Sequence, residues 1–359
     1  MSAAAHAYLN TRVSVMSTRL LTPERANNLL GLELPELTER LELQAVIEDQ
    51  LSAHAKVRAL EQALIQTLLA DVSVLIRPMN PAERALVLSW ARRYALFNLK
   101  TLIRGKLYDL DPEAIRRDLY DLPPGLRLRR DELFRTENVL ELLRVLEQGP
   151  FSLLARQARE VYEQKREPFA LEAAIDQQYY SDLARQTMRF QGDSLQPLRR
   201  LIGALLDRVD LLWMLRFRFA YSFSPSETFY QLVPSPRLLH RERLLDLVNR
   251  ENLRQLLDAL PEPLATRMAD AEDLIEVQRR VVAHQAEETR HILTQSASGV
   301  ARALAYLMLR EMDLMLLFAL LQGGLLGLPR DVIKSAVDPH AFGAAANAAT
   351  GSSPLAAAA

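Results

Sequence analysis

No cysteine occurs in this chain, which excludes disulfides and thiolate chemistry and suits a reducing cytoplasm. Glycine is scarce too, at 12 of 359 residues, so backbone that could cradle a phosphate is limited. A nucleotide loop needs several glycines followed by lysine and a hydroxyl residue. Gly105-Lys106 lacks the earlier glycine and the hydroxyl, and Gly323-Gly324-Leu325-Leu326-Gly327 lacks the lysine. The second stretch reads as a helix stop with left-handed glycine, or as a point where another helix packs closely. Excess charge is missing as well. With 44 basic against 45 acidic residues, nothing global attracts nucleic acid. Long apolar runs are absent: Leu314 to Leu321 is uninterrupted, but Asp313 precedes it and Gln322-Gly323-Gly324 breaks it. That falls short of the roughly 20 residues a bilayer span requires, so a buried helix in a soluble protein is expected. The opening MSAAAHAYLN lacks the basic-then-apolar pattern of a signal peptide.

What remains is helical. The chain is 49% hydrophobic and 25% charged, a globular balance. Leu60, Leu64, Leu68 and Val72 share one helical face, as do Leu140, Leu143 and Leu146, whereas strict alternation of β-branched residues is almost absent. Asn80-Pro81-Ala82-Glu83 and Ser224-Pro225-Ser226-Glu227 each offer a cap, a proline at the first helical position and a glutamate three residues after the cap. Asp111-Pro112-Glu113 is a looser version. After Asp338 the tail has no core-forming pattern and is expected to be disordered.

The landmarks repeat. Glu61, Glu172 and Glu276 are followed 37, 38 and 37 residues later by Asn98, Asp210 and Asp313, each leading into a long apolar-rich helix. Upstream, Glu36, Glu137-Asn138 and Glu251-Asn252 introduce leucine-rich stretches, and downstream Pro112, Pro225 and Pro329 restart the chain. The expectation is an all-α protein of three similar units, 1–110, 111–224 and 225–337, with a tail over 338–359. They are related by pseudo-threefold symmetry or stacked as an array. A closed arrangement of three leaves a central cavity or groove.

These residues carry a family likeness. Ala7-Tyr8-Leu9-Asn10-Thr11-Arg12-Val13 is similar to the opening of the C/d subunits of V-type (archaeal and bacterial A/V-type) rotary ATPases. Asn98-Leu99-Lys100-Thr101-Leu102-Ile103-Arg104 resembles that family's recurring helix, with a second copy from Asp210 to Arg216, preceded by Ile175-Asp176-Gln177-Gln178-Tyr179-Tyr180. The likeness covers about 5 to 335. It implies a funnel of three lobes without catalytic site or cofactor, at the cytoplasmic face of the membrane. There it would sit on the proteolipid rotor ring, receive the D/F-type shaft in its central cavity and transmit torque for ion translocation. It also implies Asn98, Arg104, Asp210 and Arg216 as shaft or cavity contacts. The third unit departs from the pattern, with Ala319 where Arg104 and Arg216 stand in the others. That helix is expected to pack more deeply or to face the ring.

Other candidates are weaker. His284, Glu287, Glu288 and His291 fall at helical spacing, but no second Glu-x-x-His exists for a di-iron bundle, so a solvated charged face is expected. Arg216-Phe217-Arg218-Phe219 with Tyr221 and Phe223 mixes basic and aromatic residues, yet on a helix these point several ways. An offset of six turns Arg104 away from Asn98, so each arginine either pairs with a glutamate such as Glu61 or Glu172, or lines the cavity. A helical-repeat scaffold of another complex fits the repeat equally. A helical-bundle enzyme needs a metal or acid/base cluster that the sequence does not persuasively supply.

Overall fold

The computed structural model describes residues 3–329 and 331–333, and every regular element among them is helical. The tail expected over 338–359 lies outside the described residues. Nine helices among those described have eleven or more residues. They are α1 (Ala3–Ser17), α2 (Ala53–Leu75), α3 (Pro81–Ala91), α4 (Arg93–Leu107), α5 (Ser152–Lys165), α6 (Pro168–Thr187), α7 (Leu195–Leu215), α8 (Leu274–Gln295) and α9 (Gly299–Leu325).

Helices start where capping chemistry stands. Asn80 accepts the Glu83 backbone N–H at 3.0 Å, and Glu83 accepts that of Asn80 at 3.1 Å. Two orphan donors are thereby satisfied ahead of α3. Ser224 and Glu227 do the same before helix Pro225–Gln231, and Asp111 accepts the Ala114 N–H at 3.0 Å. Each long second helix also ends alike, with a left-handed residue just past it: Asp109 (φ 49°), Ser222 (φ 56°) and Gly327 (φ 63°). Proline follows within three residues at Pro112, Pro225 and Pro329, so the helices cannot continue.

The packing runs in a cycle. α3 and α4 pack on α6, α7 packs on α8, and α9 returns to α2 and to α1. A polar side chain at the same place in α4, α7 and α9 grips the backbone of the segment that comes next. Asn98 accepts the Tyr120 N–H at 2.7 Å and donates to the Tyr120 carbonyl at 2.9 Å. Asp210 accepts the Val233 N–H at 2.8 Å, and Asp313 accepts the Leu21 N–H at 2.9 Å. The first two clasps reach 22 and 23 residues forward, whereas the third reaches back 292 residues to the start of the chain. Asn98 and Asp210 are fully buried. The expected shaft contacts at these two positions are therefore internal clasps, because an unbonded N–H at those sites would cost more than the side chain gains at a surface.

α9 is apolar on nearly all sides because it packs deeply, against α1, α2 and α8. Its glycines divide the two expected roles. Gly323 and Gly324 are helical, and a Cβ on them would lie 2.8 Å from the Ile333 side chain and 3.2 Å from that of Leu34. Only Gly327 of this stretch takes the left-handed stop.

Arg93 of α4 meets Glu311 of α9 at 2.9 Å, and the Tyr94 hydroxyl donates to the other Glu311 oxygen at 2.5 Å. Arg93 also donates to the Tyr179 hydroxyl of α6 at 3.3 Å. The enclosed space at this junction of α4, α7, α8 and α9 is about 10 Å³, room for about one water. Buried side chains of four helices fill this junction and make it a packed hub.

Candidate interaction surface

The helix ends gather at one end of the molecule. Arg104 at the end of α4 forks onto Glu172 near the start of α6, both bonds 2.6 Å. Phe169, also at the start of α6, meets the rings of Phe217, Tyr221 and Phe223 beyond α7 at 6.0, 5.4 and 5.9 Å. Leu215 at the end of α7 shares an apolar cluster with Leu274 and Val277 at the start of α8. The start of α2, the end of α4 and the end of α9 border one cleft of about 510 Å³.

Beside each left-handed residue this end exposes apolar side chains. Tyr108 and Leu110 flank Asp109, Tyr221 precedes Ser222, and Leu326 and Leu328 flank Gly327; their exposures are 63, 50, 53, 55 and 44%. Hydrophobic residues at such helix stops ordinarily fold back onto the last turn. Each is about half exposed, so roughly half of the 1.5–3 kcal/mol of full burial is forgone, and the recurrence in three equivalent places makes this end the candidate contact surface.

The position six beyond each clasp has three chemistries. Arg104 is paired yet its side chain stays 49% exposed. Arg216 is exposed and makes no ion pair with a described residue. In α9 the site is Ala319, and the neighbouring cleft is lined by Arg58, Phe97, Phe318 and Gln322. Glu61 inside that cleft is held by Arg58 at 2.6 Å, and the guanidinium lies 4.5 Å over the Tyr120 ring. Of the two readings of Arg104, pairing with Glu172 describes the geometry. Lys100 adds a second bond across the seam, to Asp176 at 2.7 Å.

The basic-aromatic stretch is a π-helical turn, Arg216–Ala220. Phe217 stacks on Phe223 with centroids 5.5 Å apart, and Arg218 donates to the Val248 and Phe223 carbonyls at 3.0 and 2.6 Å. Its rings pack on one another more than they offer a stacking platform.

The charged face is solvated as expected at Glu287 and His291, half-buried at Glu288 and not solvated at His284. His284 is buried, and burial followed by Arg237 lowers its pKa to about 4. Glu288 pairs with Arg200 at 2.5 Å and Arg237 at 3.1 Å, while Glu287 pairs with Arg267. Among the described residues no group of three or more potential ligands is placed to hold a metal ion.

The remaining repeat residues are local. Asn138 and Asn252 cap helices by accepting the Glu141 and Gln255 N–H groups at 3.0 and 2.9 Å. Glu137 and Glu251 just before them are exposed. Glu276 accepts the Glu272 N–H at 3.0 Å and pairs with Arg280. Tyr180 is buried edge-on against Trp213, and Tyr8 and Arg12 are exposed on α1. Asp313 is partly buried, and burial pushes its carboxyl up to about 7. Sequence reasoning missed Arg93, Arg208 and Glu311. Glu311 stands among three other charges of α9, Arg302, Arg310 and Asp313, so no single residue signalled it.

Comparison with known proteins agrees on one family. Residues 9–336 match the sequence profile described as ATP synthase (C/AC39) subunit. The A-type ATP synthase C subunit of Methanocaldococcus jannaschii is 24% identical over 92% of this chain and 86% of its own length. Its namesake from Halobacterium salinarum is also 24% identical, over 92% of this chain and 97% of its own. In Archaeoglobus fulgidus a protein of the same name is 30% identical over 31% of this chain and 34% of its own.

Proposed function

Because the chain belongs to the ATP synthase (C/AC39) subunit family, we propose that it is the non-catalytic central-stalk connector of a rotary ATPase. It joins the rotating shaft to the membrane proteolipid ring and passes torque between them, peripheral to the membrane. No helix among those described is long and apolar enough to cross one. The units 1–110, 111–224 and 225–337 stand around a pseudo-threefold axis as a funnel. The packed hub is the floor of its cavity, so the shaft seats against the connector instead of passing through it.

One observation carries this reading furthest. Three equivalent helix ends meet at one end, with exposed apolar side chains beside each left-handed turn and, on the second, an exposed arginine, Arg216, that no described residue pairs. Tyrosine, leucine and arginine in such a setting suit an amphipathic helical shaft bearing carboxylates. The unequal chemistry of Arg104, Arg216 and Ala319 suits an asymmetric occupant more than a rotationally repeated one. This end receives the shaft. The opposite end, where α2–α3, α6–α7 and α8–α9 turn, faces the ring.

The absence of native cysteine makes the test direct. Single cysteines replacing Tyr108, Tyr221 or Leu326, fitted with a short crosslinker in the assembled complex, are expected to capture shaft subunits. A cysteine at the exposed Met188 is expected to capture the ring. Exchange of the two partners would reverse the orientation, and capture of neither would sink the connector reading.

A further inference from the structure

The hub holds more positive charge than its partners balance. Arg93 and Arg208 are 5 and 6% exposed, and both line the void of about 10 Å³ together with Glu311 and Gln285. Glu311 spends both oxygens, one on Arg93 at 2.9 Å and one on Tyr94 at 2.5 Å. Arg208 makes no ion pair or side-chain hydrogen bond with a described residue, and its buried Nε is unpartnered. Nη2 of Arg93 and Oε1 of Gln285 are unpartnered as well.

Two guanidiniums thus face one carboxylate, and neither can lose its proton in a protein. Burial disfavours the charge on Arg208, and Arg93 nearby adds repulsion. An uncompensated buried cation is costly, and a water molecule in the void would hydrate it without cancelling the charge. A small anion would do both. The space admits about one water-sized particle, which excludes sulfate and phosphate but accepts a halide. The Gln285 amide can turn its NH2 inward as a third donor. Met308 and Met312 supply polarizable walls that suit a weakly hydrated ion.

We propose that this junction of α4, α7, α8 and α9 is a binding site for a single monovalent anion, chloride being the fitting size. Arg208, Arg93 Nη2 and the Gln285 amide are its donors. The ion neutralises the hub and couples four helices drawn from all three parts of the chain. The site does not depend on which end meets the shaft, and it is independent of the connector reading.

Thermal melts of the full chain in sodium chloride and in sodium gluconate, at matched ionic strength, test it. The melting temperature is expected to be higher in chloride by at least about 2 °C and to rise with concentration until the site saturates. Arg208→Met is expected to remove the difference between the two salts. Equal melting temperatures for the native chain would overturn the proposal, as would a chloride effect that survives in Arg208→Met. Should that variant fail to fold, bromide in crystals of the native chain decides. An anomalous peak in the hub supports the site, and ordered water alone there refutes it.

Discussion

Where α4 meets α6, the contact is edged by the half-open Arg104–Glu172 pair, with the more buried Lys100–Asp176 pair behind it. Where α9 returns to the first part of the chain, it does so mainly through buried polar bonds, with the partly buried Arg302–Asn10 bond at the edge. Arg104 and Glu172 keep 49 and 20% of their side-chain surface on the open seam. On the closing seam Tyr306 donates to Asp71 at 2.6 Å, Arg302 reaches Asn10 at 2.9 Å, and Glu311 holds Arg93 and Tyr94. Exposed ion pairs contribute little to stability, whereas a buried pair is strongly destabilised when one partner is removed. The closing seam holds the cycle together. The open one contributes less.

Breaking the closing seam is expected to have the largest effect. Glu311→Ala leaves the Arg93 guanidinium buried without its carboxylate and should cost roughly 3–5 kcal/mol in denaturant unfolding. Glu172→Ala across the open seam should cost no more than about 1 kcal/mol. Similar losses from both would erase the distinction.

The clasps come next. Asn98→Ala and Asp210→Ala each strand a backbone N–H, and Asn98→Ala strands a carbonyl too, for about 1–3 kcal/mol apiece. Asp210→Asn should be nearly neutral, since Asn98 performs the same grip as an amide. A loss as large as that of Asp210→Ala would mean that the carboxylate itself matters.

These expectations mark what was legible in the sequence. Helix starts such as Asn80-Pro81 and Ser224-Pro225 were readable because a cap is completed within three residues. The order of landmarks was readable because Asn98, Asp210 and Asp313 follow Glu61, Glu172 and Glu276 by 37, 38 and 37 residues. Their role was not, because each bonds to backbone 22 to 292 residues away, and a polar residue in a helix ordinarily faces solvent, which Asn98 and Asp210 do not. The hub was hidden for a related reason. Arg93 and Glu311 stand 218 positions apart, and only packing makes them partners.

A smaller effect tests the third clasp. The Asp313 carboxyl, pushed up to about 7 by burial, stays protonated in the fold at pH values where the unfolded chain has already released that proton. Its contribution is therefore full below about pH 4 and is lost as pH rises through about 7. Asp313→Asn should flatten that part of the profile and be the more stable protein at pH 8, by on the order of 1 kcal/mol. Equal slopes from pH 4 to 8 for the two proteins would count against it.

Least of all should the isolated protein notice Arg216→Ala, whose side chain is exposed; Tyr221→Asp, half exposed, gives up only its ring contacts such as that with Phe169. Changes in melting temperature should stay within about 2 °C. In the proposed orientation those same residues face the shaft, so the assembled machine is where they should matter. The decisive measurement is the number of ions pumped per ATP hydrolysed by a complex carrying Arg216→Ala, Tyr221→Asp and Leu326→Asp together. The connector account predicts that hydrolysis continues while pumping per ATP falls severalfold. An unchanged ratio in a fully assembled complex would contradict it.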